Sequence, residues 1–287
     1  MPLIGEQIQT SNIDLFNSKT HYVRLGNPLG KPLLMVHGFR GDHHGLLKIA
    51  NELGQYQITI PDLPGFGNSN RLTSPHTIDS FGYWLKELAK NIMPEKYAVL
   101  GHSFGSLVVA NAISKGLPAH KLILINPISQ PALAGPKRFL TNAAKLYYLL
   151  GARMPKQQGD SILKNSIFVR MMSEVMAKTK NRELRAWIHD QHAQYFSNFT
   201  DSESLLEAFD ASISNTVFDY SLDLKMETLL IAGELDDITP LSSQLRLKYT
   251  LPNAKLLTLP GTGHLVHYER AAEASHAINE FLNTKDK

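Results

Sequence analysis

The stretch Gly101-His102-Ser103-Phe104-Gly105 decides the fold of this 287-residue chain. It follows the apolar run Tyr97–Gly101 and opens a helical pattern over Phe104–Lys115. A G-x-S-x-G sequence between a strand and a helix is typical of a sharp turn that exposes a nucleophilic serine. Flanking glycines permit the strained backbone of such a turn, and the helix N-terminus favours developing negative charge. We therefore expect Ser103 to be a nucleophile, with an ordinary helix N-cap as the alternative.

Short apolar runs alternate with helical patterns along most of the chain. The runs have the length of buried strands, and apolar residues three or four apart indicate helices. This alternation predicts an α/β protein with a mostly parallel, doubly wound sheet that helices cover on both faces. The segment His21–Pro28 ends in turn-prone residues and predicts an antiparallel hairpin before the sheet. The predicted strands are Leu33–His37, Gln57–Ile60, Tyr97–Gly101, Leu122–Asn126, Thr228–Ala232 and Ala254–Leu259, and the predicted helices are Leu46–Leu53, Asp79–Asn91, Phe104–Lys115, Leu241–Tyr249 and His267–Leu282.

The alternation stops after Asn126-Pro127 and resumes near Met226. The residues between them indicate helices and no clear strand. A structureless loop of about a hundred residues would be improbable inside a compact domain. We therefore predict a core formed by residues 1–126 and 226–287, with a helical cap, or lid, formed by residues 127–225.

Composition narrows the class of protein. A hydrophobic share of 43%, a charged share of 19% and a net charge of +3 are typical of a globular protein and give no general basis for nucleic-acid binding. The 0 cysteines exclude disulfides, thiolate metal sites and a cysteine nucleophile. Met1–Thr20 lacks the features of a secretory signal, and no apolar segment has the length of a membrane-spanning helix. We expect a cytoplasmic protein without stable membrane insertion, and the oligomeric state stays open.

A serine hydroxyl needs a base that is itself oriented by a third group. His264 follows the last predicted strand, so its loop can carry an imidazole to the carboxyl edge of the sheet. The acid is expected after the preceding strand, where Gly233–Pro240 offers three carboxylates. We predict His264 as the general base and Asp236 as the acid that orients it, with Asp237 and then Glu234 as alternatives.

The loop His37-Gly38-Phe39-Arg40-Gly41 follows the first long apolar strand. Its flexible backbone can direct amides toward the oxyanion of a tetrahedral intermediate. We assign an oxyanion hole to the backbone N–H groups of Phe39 and Phe104, whose side chains either line the pocket or pack in the core. The residues that we expect to line the substrate pocket are His37, Gly38, His102 and Val266.

In this order the motifs resemble the α/β-hydrolase superfamily, in particular its single-chain serine hydrolases with a helical cap after the sixth strand. The resemblance covers about Leu33–Asn126 and Thr228–Leu282 and includes Asp62–Ser69, which is similar to the family's loop after the fourth strand. Asp62 is therefore expected to shape a turn. Epoxide hydrolases and haloalkane dehalogenases carry aspartate where Ser103 stands, so their mechanism is disfavoured. Phe104 departs from the small residue or methionine common in haloperoxidases and carbon–carbon bond hydrolases.

These residues and the resemblance together predict a serine hydrolase that acts through an acyl-enzyme. Its expected substrate is a small to medium apolar molecule with an ester-type bond, as for a carboxylesterase. No cofactor, metal or nucleic acid is expected to take part. The alternatives with the same triad are a carbon–carbon bond hydrolase, a thioesterase, an acyltransferase and a perhydrolase. An alternative of another class is a ligand-binding sensor on the same fold.

Three further polar features carry weaker hypotheses. His43-His44 beside Asp42 indicate an exposed loop, with a pocket mouth or a metal site as alternatives. His189 and His192 lie one helical turn apart and favour a polar helix face over a position at the active site. The strongly basic segment 137–185 favours solvated helix faces that pair with neighbouring acids, with a basic lid for anionic substrates or a membrane surface as the alternative.

Overall fold

Eight strands form a single sheet in the computed structural model, which describes residues 8–131 and 138–284. Each of the six predicted runs forms a strand whose ends lie within one residue of the prediction. The strands are β1 Gln9–Leu15, β2 Ser18–Gly26, β3 Pro32–Val36, β4 Gln57–Pro61, β5 Ala98–His102, β6 Lys121–Ile125, β7 Glu227–Gly233 and β8 Ala254–Leu259. The helices are α1 Leu47–Glu52, α2 Ile78–Ile92, α3 Phe104–Ser114, α4 Arg138–Arg153, α5 Lys156–Leu163, α6 Ser166–Met176, α7 Arg182–Tyr195, α8 Ser202–Ser214, α9 Leu241–Thr250, α10 Val266–Glu269 and α11 Ala271–Asn283.

The strand order across the sheet is β1-β2-β4-β3-β5-β6-β7-β8. Strands β1 and β2 form the predicted antiparallel hairpin, and β2 also pairs antiparallel with β4. The remaining neighbours are parallel. The carboxyl ends of β3, β5, β7 and β8 therefore meet at one edge of the sheet, which is where ligands bind in open α/β sheets.

Helices cover both faces of this sheet. Successive side chains of a strand point to opposite faces. In β3, Leu34 and Val36 join one hydrophobic cluster, whereas Leu33 and Met35 join the other. Helices α2, α3 and α9 pack on the first cluster, and α1 and α11 pack on the second. This arrangement confirms the predicted doubly wound fold.

Between β6 and β7 the described residues form helices α4 to α8 and add no strand to the sheet. We refer to residues 127–225 as the insertion. Tyr148 of α4 and Phe209 of α8 lie with their ring centroids 4.5 Å apart, and α6 packs along α7. An isolated antiparallel bridge between Phe66 and Phe199 joins the insertion to the loop after β4. The helical character is as predicted, while the division into a core and a cap stays a prediction.

One predicted helix is wrong in extent. The pattern over His267–Leu282 contains two helices, α10 and α11, because Arg270 between them has a non-helical backbone with φ −136° and ψ 40°. The periodicity continues across the break, so the sequence pattern does not reveal it. In the described ranges, no helix combines the length and the apolar character needed to cross a bilayer.

Candidate active site

Ser103 lies in the sharp turn between β5 and α3. Its backbone has φ 51° and ψ −115°, a left-handed conformation that is strained for a residue other than glycine. The flanking glycines are required by close packing. A Cβ atom on Gly101 would lie 2.6 Å from the Gly105 carbonyl oxygen, and a Cβ atom on Gly105 would overlap the Val36 carbonyl oxygen. The turn therefore has the strained, glycine-flanked geometry that the sequence predicted.

The side chains of Ser103, His264 and Asp236 form one hydrogen-bonded line. His264 Nε2 lies 2.8 Å from Ser103 Oγ, and His264 Nδ1 lies 2.8 Å from Asp236 Oδ2. A carboxylate cannot donate, so the His264 Nδ1–H donates to Asp236 and Nε2 accepts from the serine hydroxyl. All three residues are buried. The structure thus brings together the three residues that were predicted from three separate loops.

Asp236 is held by a dense set of hydrogen-bond donors. Its Oδ1 accepts from the backbone N–H groups of Ile238 and Thr239, at 2.8 and 3.0 Å. Its Oδ2 accepts from the Thr239 hydroxyl at 2.6 Å and from Asn126 Nδ2 at 2.5 Å, besides His264. Burial alone would raise the pKa of this carboxyl, but the charge of protonated His264 and the hydrogen bonds from His264 and Thr239 hold the pKa well below its usual range. Asp236 is therefore an anion at neutral pH.

The two alternative carboxylates lie elsewhere. Asp237 is half-exposed and its Oδ2 lies 2.7 Å from Lys178 Nζ of the insertion. Glu234 is exposed and accepts a hydrogen bond from the Gly261 N–H at 2.9 Å. Among the described residues, Asp236 is the carboxylate in hydrogen-bond contact with His264.

Asn126 is a site residue that the sequence analysis missed. It follows β6, has φ 46°, and donates from Nδ2 to Asp236. Asparagine tolerates the left-handed region better than other side chains, and this is the reason for asparagine at the end of β6. An asparagine between a strand and a proline was the available signal, but nothing in the sequence indicated its partner.

The loop that carries Phe39 passes directly beside Ser103. A Cβ atom on Gly38 would lie 3.3 Å from Ser103 Cβ and 3.1 Å from His102 Nδ1. The Phe39 N–H has no acceptor within the described part of the chain. Phe104 is the first residue of α3, so its N–H is among the four that lack an intrahelical acceptor. Neither amide predicted for the oxyanion hole therefore has an acceptor among the described residues, and the hole itself stays a prediction.

His37 fixes the start of this loop. The Leu63 N–H donates to His37 Nε2 at 2.9 Å, so the proton of the neutral ring lies on Nδ1, which donates to the Gly38 carbonyl at 2.9 Å. Burial lowers the pKa of His37, and the negative charge of Asp62, which acts to raise the pKa, only partly offsets this effect. The neutral imidazole therefore acts within the loop, and both of its nitrogens are occupied by the backbone.

The other residues predicted for the pocket are enclosed. The ring centroid of His102 lies 5.5 Å from that of His264, and burial together with His264 lowers the pKa of His102 to about 3. Val266 is fully buried in the core cluster on the α1 and α11 side of the sheet. A cavity of about 10 Å³ lies beside the triad, lined by Val175, Met176, Lys178, Asp237, Ile238 and His264.

The rings of Phe39 and Phe104 belong to the hydrophobic core. Phe104 is fully buried, and the half-buried Phe39 ring packs against Phe66, Phe104, Tyr148 and Phe209 at centroid distances of 6.0, 6.4, 5.8 and 5.8 Å. These contacts join the sheet to the insertion. The alternative that both side chains pack in the core is the one that the structure supports.

Asp62 has the structural role expected for it. Its Oδ1 accepts from the backbone N–H and from Nδ1 of His43, both at 2.8 Å, and its Oδ2 accepts from His21 Nδ1 at 3.0 Å and the Asn68 N–H at 2.9 Å. His43 is buried, which corrects the expectation of an exposed loop. His21, His43 and Asp62 are close enough to share a metal ion, as are Asp42, His43 and His44. Each Nδ1 instead lies at hydrogen-bond distance from a carboxylate oxygen.

His189 and His192 lie on one polar face of α7, and this face is buried. Their Nδ1 atoms lie 2.6 and 2.7 Å from the hydroxyl of Ser173 on the neighbouring helix α6. The pairing of α6 with α7 covers this polar face, and the sequence of one helix does not reveal its neighbour. Burial lowers the pKa of both imidazoles.

Several cations of the basic segment 137–185 form ion pairs with neighbouring acids, which is the arrangement predicted for solvated helix faces. Arg170 and Arg185 both bind Glu174, at 2.7 Å each, and these hydrogen bonds lower the pKa of Glu174 to about 2. Lys145 pairs with Asp210 of α8 at 2.9 Å. The predicted segment also includes Lys137, which lies outside the described residues.

Comparisons with known proteins agree with this geometry. The family model for the alpha/beta hydrolase fold matches residues 31–271. The chain is 26% identical to the pimeloyl-acyl-carrier-protein methyl ester esterase of Aeromonas salmonicida over 238 residues, which are 82% of this chain and 89% of that protein. It is 25% identical to Lipase 1 of Psychrobacter immobilis over 284 residues, 92% of this chain and 80% of that protein.

A solved structure shows the same fold at lower identity. The thermophilic esterase from Thermogutta terrifontis has a TM-score of 0.76 and 21% identity, covering 96% of this chain and 98% of that one. The family match covers most of the chain, including the loops that carry Ser103, Asp236 and His264. The chain therefore belongs to the α/β hydrolase fold family.

Proposed function

We propose that this protein is a carboxylic ester hydrolase in which Ser103 is the nucleophile, His264 the general base and Asp236 the orienting acid. The observation that carries the proposal is the hydrogen-bonded line of these three residues, with 2.8 Å at both links. The strained Ser103 backbone and the two available amides beside it complete the set of groups that acyl transfer requires. Esterases and lipases among the relatives support the same reaction.

Acylation follows from the geometry. His264 Nε2 accepts the Ser103 proton as Oγ attacks the ester carbonyl, and the imidazolium is stabilised by the Asp236 carboxylate. The N–H groups of Phe39 and Phe104 hold the oxyanion of the tetrahedral intermediate. Each such donor is worth about 3–4 kcal/mol in the transition state. His264 then gives its proton to the departing alcohol, and an acyl-Ser103 ester remains.

Deacylation repeats these steps with water. His264 accepts a proton from water, whose oxygen attacks the acyl carbonyl, and the same two amides hold the second oxyanion. Collapse of this intermediate breaks the bond to Ser103 Oγ, which takes its proton back from His264 and releases the carboxylic acid. Asp236 stays ionised throughout, as its depressed pKa requires.

The surroundings favour an apolar acyl group. Three aliphatic side chains, Val175, Met176 and Ile238, line the cavity beside His264. This cavity of about 10 Å³ has the size of a single water molecule. We propose that residues of the insertion move to admit an ester, and that the insertion acts as a cap that sets the size of the substrate. A cytoplasmic location stays a prediction.

A serine-directed experiment tests the proposal. Wild type, Ser103→Ala and Ser173→Ala would be compared on para-nitrophenyl esters of increasing acyl length and with a fluorophosphonate probe. Ser173 is a matched control because its hydroxyl also lies 2.6 Å from a histidine, in the buried contact with His189. We expect Ser103→Ala to lose kcat by about 10⁴-fold or more and to lose labelling, whereas Ser173→Ala keeps both.

The outcomes separate the alternatives. Wild-type turnover or labelling in Ser103→Ala would refute the assignment of the nucleophile. Labelling without turnover of any ester would keep Ser103 but reject simple esters in favour of thioesters, acyl transfer, perhydrolysis or carbon–carbon cleavage. A wild type that neither reacts with the probe nor turns over esters would favour the ligand-binding sensor.

A further inference from the structure

Residues 38–41 form a tight turn beside Ser103. The Gly41 N–H donates to the Gly38 carbonyl across 3.3 Å, and Arg40 has a φ of 62°. A left-handed third residue is the feature of a type II turn, and this position strongly favours glycine. A larger residue there is strained, so an arginine needs compensating contacts elsewhere.

The Arg40 side chain is fully buried and makes its hydrogen bonds to the insertion. Nε donates to the Phe196 carbonyl at 3.1 Å, and Nη2 donates to the Leu163 carbonyl at 2.8 Å and the Ser197 hydroxyl at 3.3 Å. Nη1 lies 3.5 Å from the Tyr148 hydroxyl. All four acceptors belong to the insertion, whereas the backbone of Arg40 belongs to the loop after β3. The side chain therefore links the two parts.

The guanidinium lies among aromatic rings, and its hydrogen-bond acceptors are neutral. Its central carbon lies 5.3 Å from the ring centroid of Phe196 and 5.6 Å from that of Phe199. Its four acceptors are neutral oxygens, which compensate a buried charge less well than a carboxylate does. This burial exists only where the insertion covers the loop, so the position of Arg40 depends on the insertion. Because the side chain is fully buried, the guanidinium offers no surface to an anionic substrate.

We infer that Arg40 is a positioning residue that makes the oxyanion hole depend on the insertion. Its hydrogen bonds hold the turn of residues 38–41 in its strained form, and the turn places the Phe39 N–H beside Ser103. The Phe39 ring is anchored in the same way, because it packs against Tyr148 and Phe209 of the insertion. When the insertion shifts away from the loop, the hole loses one of its two donors. The inference rests on the proposed function, since it explains the origin of that hole.

The test separates oxyanion stabilisation from general stability. Ser103 Oγ adds to the carbonyl carbon of a trifluoromethyl ketone while His264 takes up the hydroxyl proton, which gives a tetrahedral oxyanion, whereas the methyl ketone of the same chain length binds without this adduct. The ratio of their inhibition constants therefore reports the oxyanion hole. In Arg40→Met we expect this preference and kcat/KM to fall together by about 10²-fold, as for a misplaced catalytic group, while affinity for the methyl ketone changes little.

Lys121→Met is the matched control. Lys121 is also a buried cation, and its Nζ donates to the carbonyls of Phe281 at 3.1 Å and Thr284 at 2.8 Å. It lies at the start of β6, at the opposite end of the strands from Ser103. We expect this variant to lose stability and to keep the wild-type preference for the trifluoromethyl ketone. Arg40→Lys keeps the positive charge but lacks the planar guanidinium group. We expect its preference for the trifluoromethyl ketone to lie between that of the wild type and a complete loss, and this test remains if Arg40→Met does not fold.

Two results would overturn the inference. One is an Arg40→Met or Arg40→Lys enzyme with the wild-type preference, and the other is an equal loss of preference in Lys121→Met, which would indicate a general effect of destabilisation. A wild-type protein without preference for the trifluoromethyl ketone would instead refute the proposed function, and the inference with it.

Discussion

The substitution Asp236→Asn changes one atom in the hydrogen-bonded line behind Ser103. Two backbone N–H groups, from Ile238 and Thr239, point at Oδ1, so the single oxygen of asparagine is held on that side. The new NH₂ group then faces His264 Nδ1, where the carboxylate Oδ2 lay at 2.8 Å. His264 must accept this hydrogen bond, which moves its proton to Nε2. An Nε2–H cannot accept the Ser103 proton.

The expected loss follows from this change of tautomer. In a Ser-His-Asp triad, holding the imidazole in the wrong tautomer lowers kcat by about 10⁴-fold. This factor is equivalent to an activation free energy higher by about 5.5 kcal/mol. The effect on folding is smaller. Asn126 Oδ1 is buried without a partner, so a flip of its amide can accept from the new NH₂ group. We expect the free energy of unfolding to fall by less than about 3 kcal/mol, the upper cost of an unsatisfied buried group.

Asp237→Asn is the control for the neighbouring carboxylate. Asp237 is half-exposed and pairs with Lys178 at the surface, so its loss removes an ion pair worth about 0–1 kcal/mol. The assay is kcat/KM on a para-nitrophenyl ester at neutral pH, with thermal unfolding as the check on folding. An Asp236→Asn enzyme that keeps more than a tenth of the wild-type kcat/KM, or an Asp237→Asn enzyme with the larger loss, would refute the assignment.

Two predictions concern stability. Burial lowers the pKa of His192 to about 4 and, with His264, that of His102 to about 3, so below about pH 6.5 the unfolded chain takes up protons that the folded chain does not. Each histidine then lowers the free energy of unfolding by up to about 1.4 kcal/mol per pH unit as the pH falls toward 4. Urea unfolding at pH 7 and pH 5 should therefore show a smaller loss of this free energy in His192→Asn than in the wild type. Equal losses in the two proteins would contradict a buried, neutral His192. Gly105→Ala should cost about 3 kcal/mol or more, because its Cβ overlaps the Val36 carbonyl, whereas Gly261→Ala, with φ 65° and open space, should cost about 1–2 kcal/mol. Similar denaturation midpoints for these two variants would contradict the close packing at Gly105.

The sheet and the candidate triad could be predicted from sequence because their signals are local. A strand such as Leu122–Asn126 is recognised from its own apolar residues, and Ser103 from the glycines on either side. Chain order then limits the acid and the base to the loops after the next strands. Asp236 was preferred over Asp237 from sequence, but the physical reason for this preference appears only in the structure, because the fold of the loop determines which carboxylate turns toward His264.

The contacts of the insertion could not be predicted, because they join residues far apart in sequence. Arg40 reaches Leu163 and Phe196, more than a hundred positions away. His189 and His192 have the spacing of a polar helix face and become buried only when α6 packs on α7. Asn126 shows the same limit, since its partner Asp236 lies in the loop that follows the neighbouring strand β7.

The strained turn at Ser103 has an evolutionary consequence. Glycine is the residue that this backbone accepts without strain, so a chain selected for folding alone would gain stability from glycine at position 103. Without a catalytic requirement, selection for stability would favour replacement of Ser103 by glycine. The presence of serine at this strained position therefore supports selection for catalysis and counts against a protein that only binds small molecules.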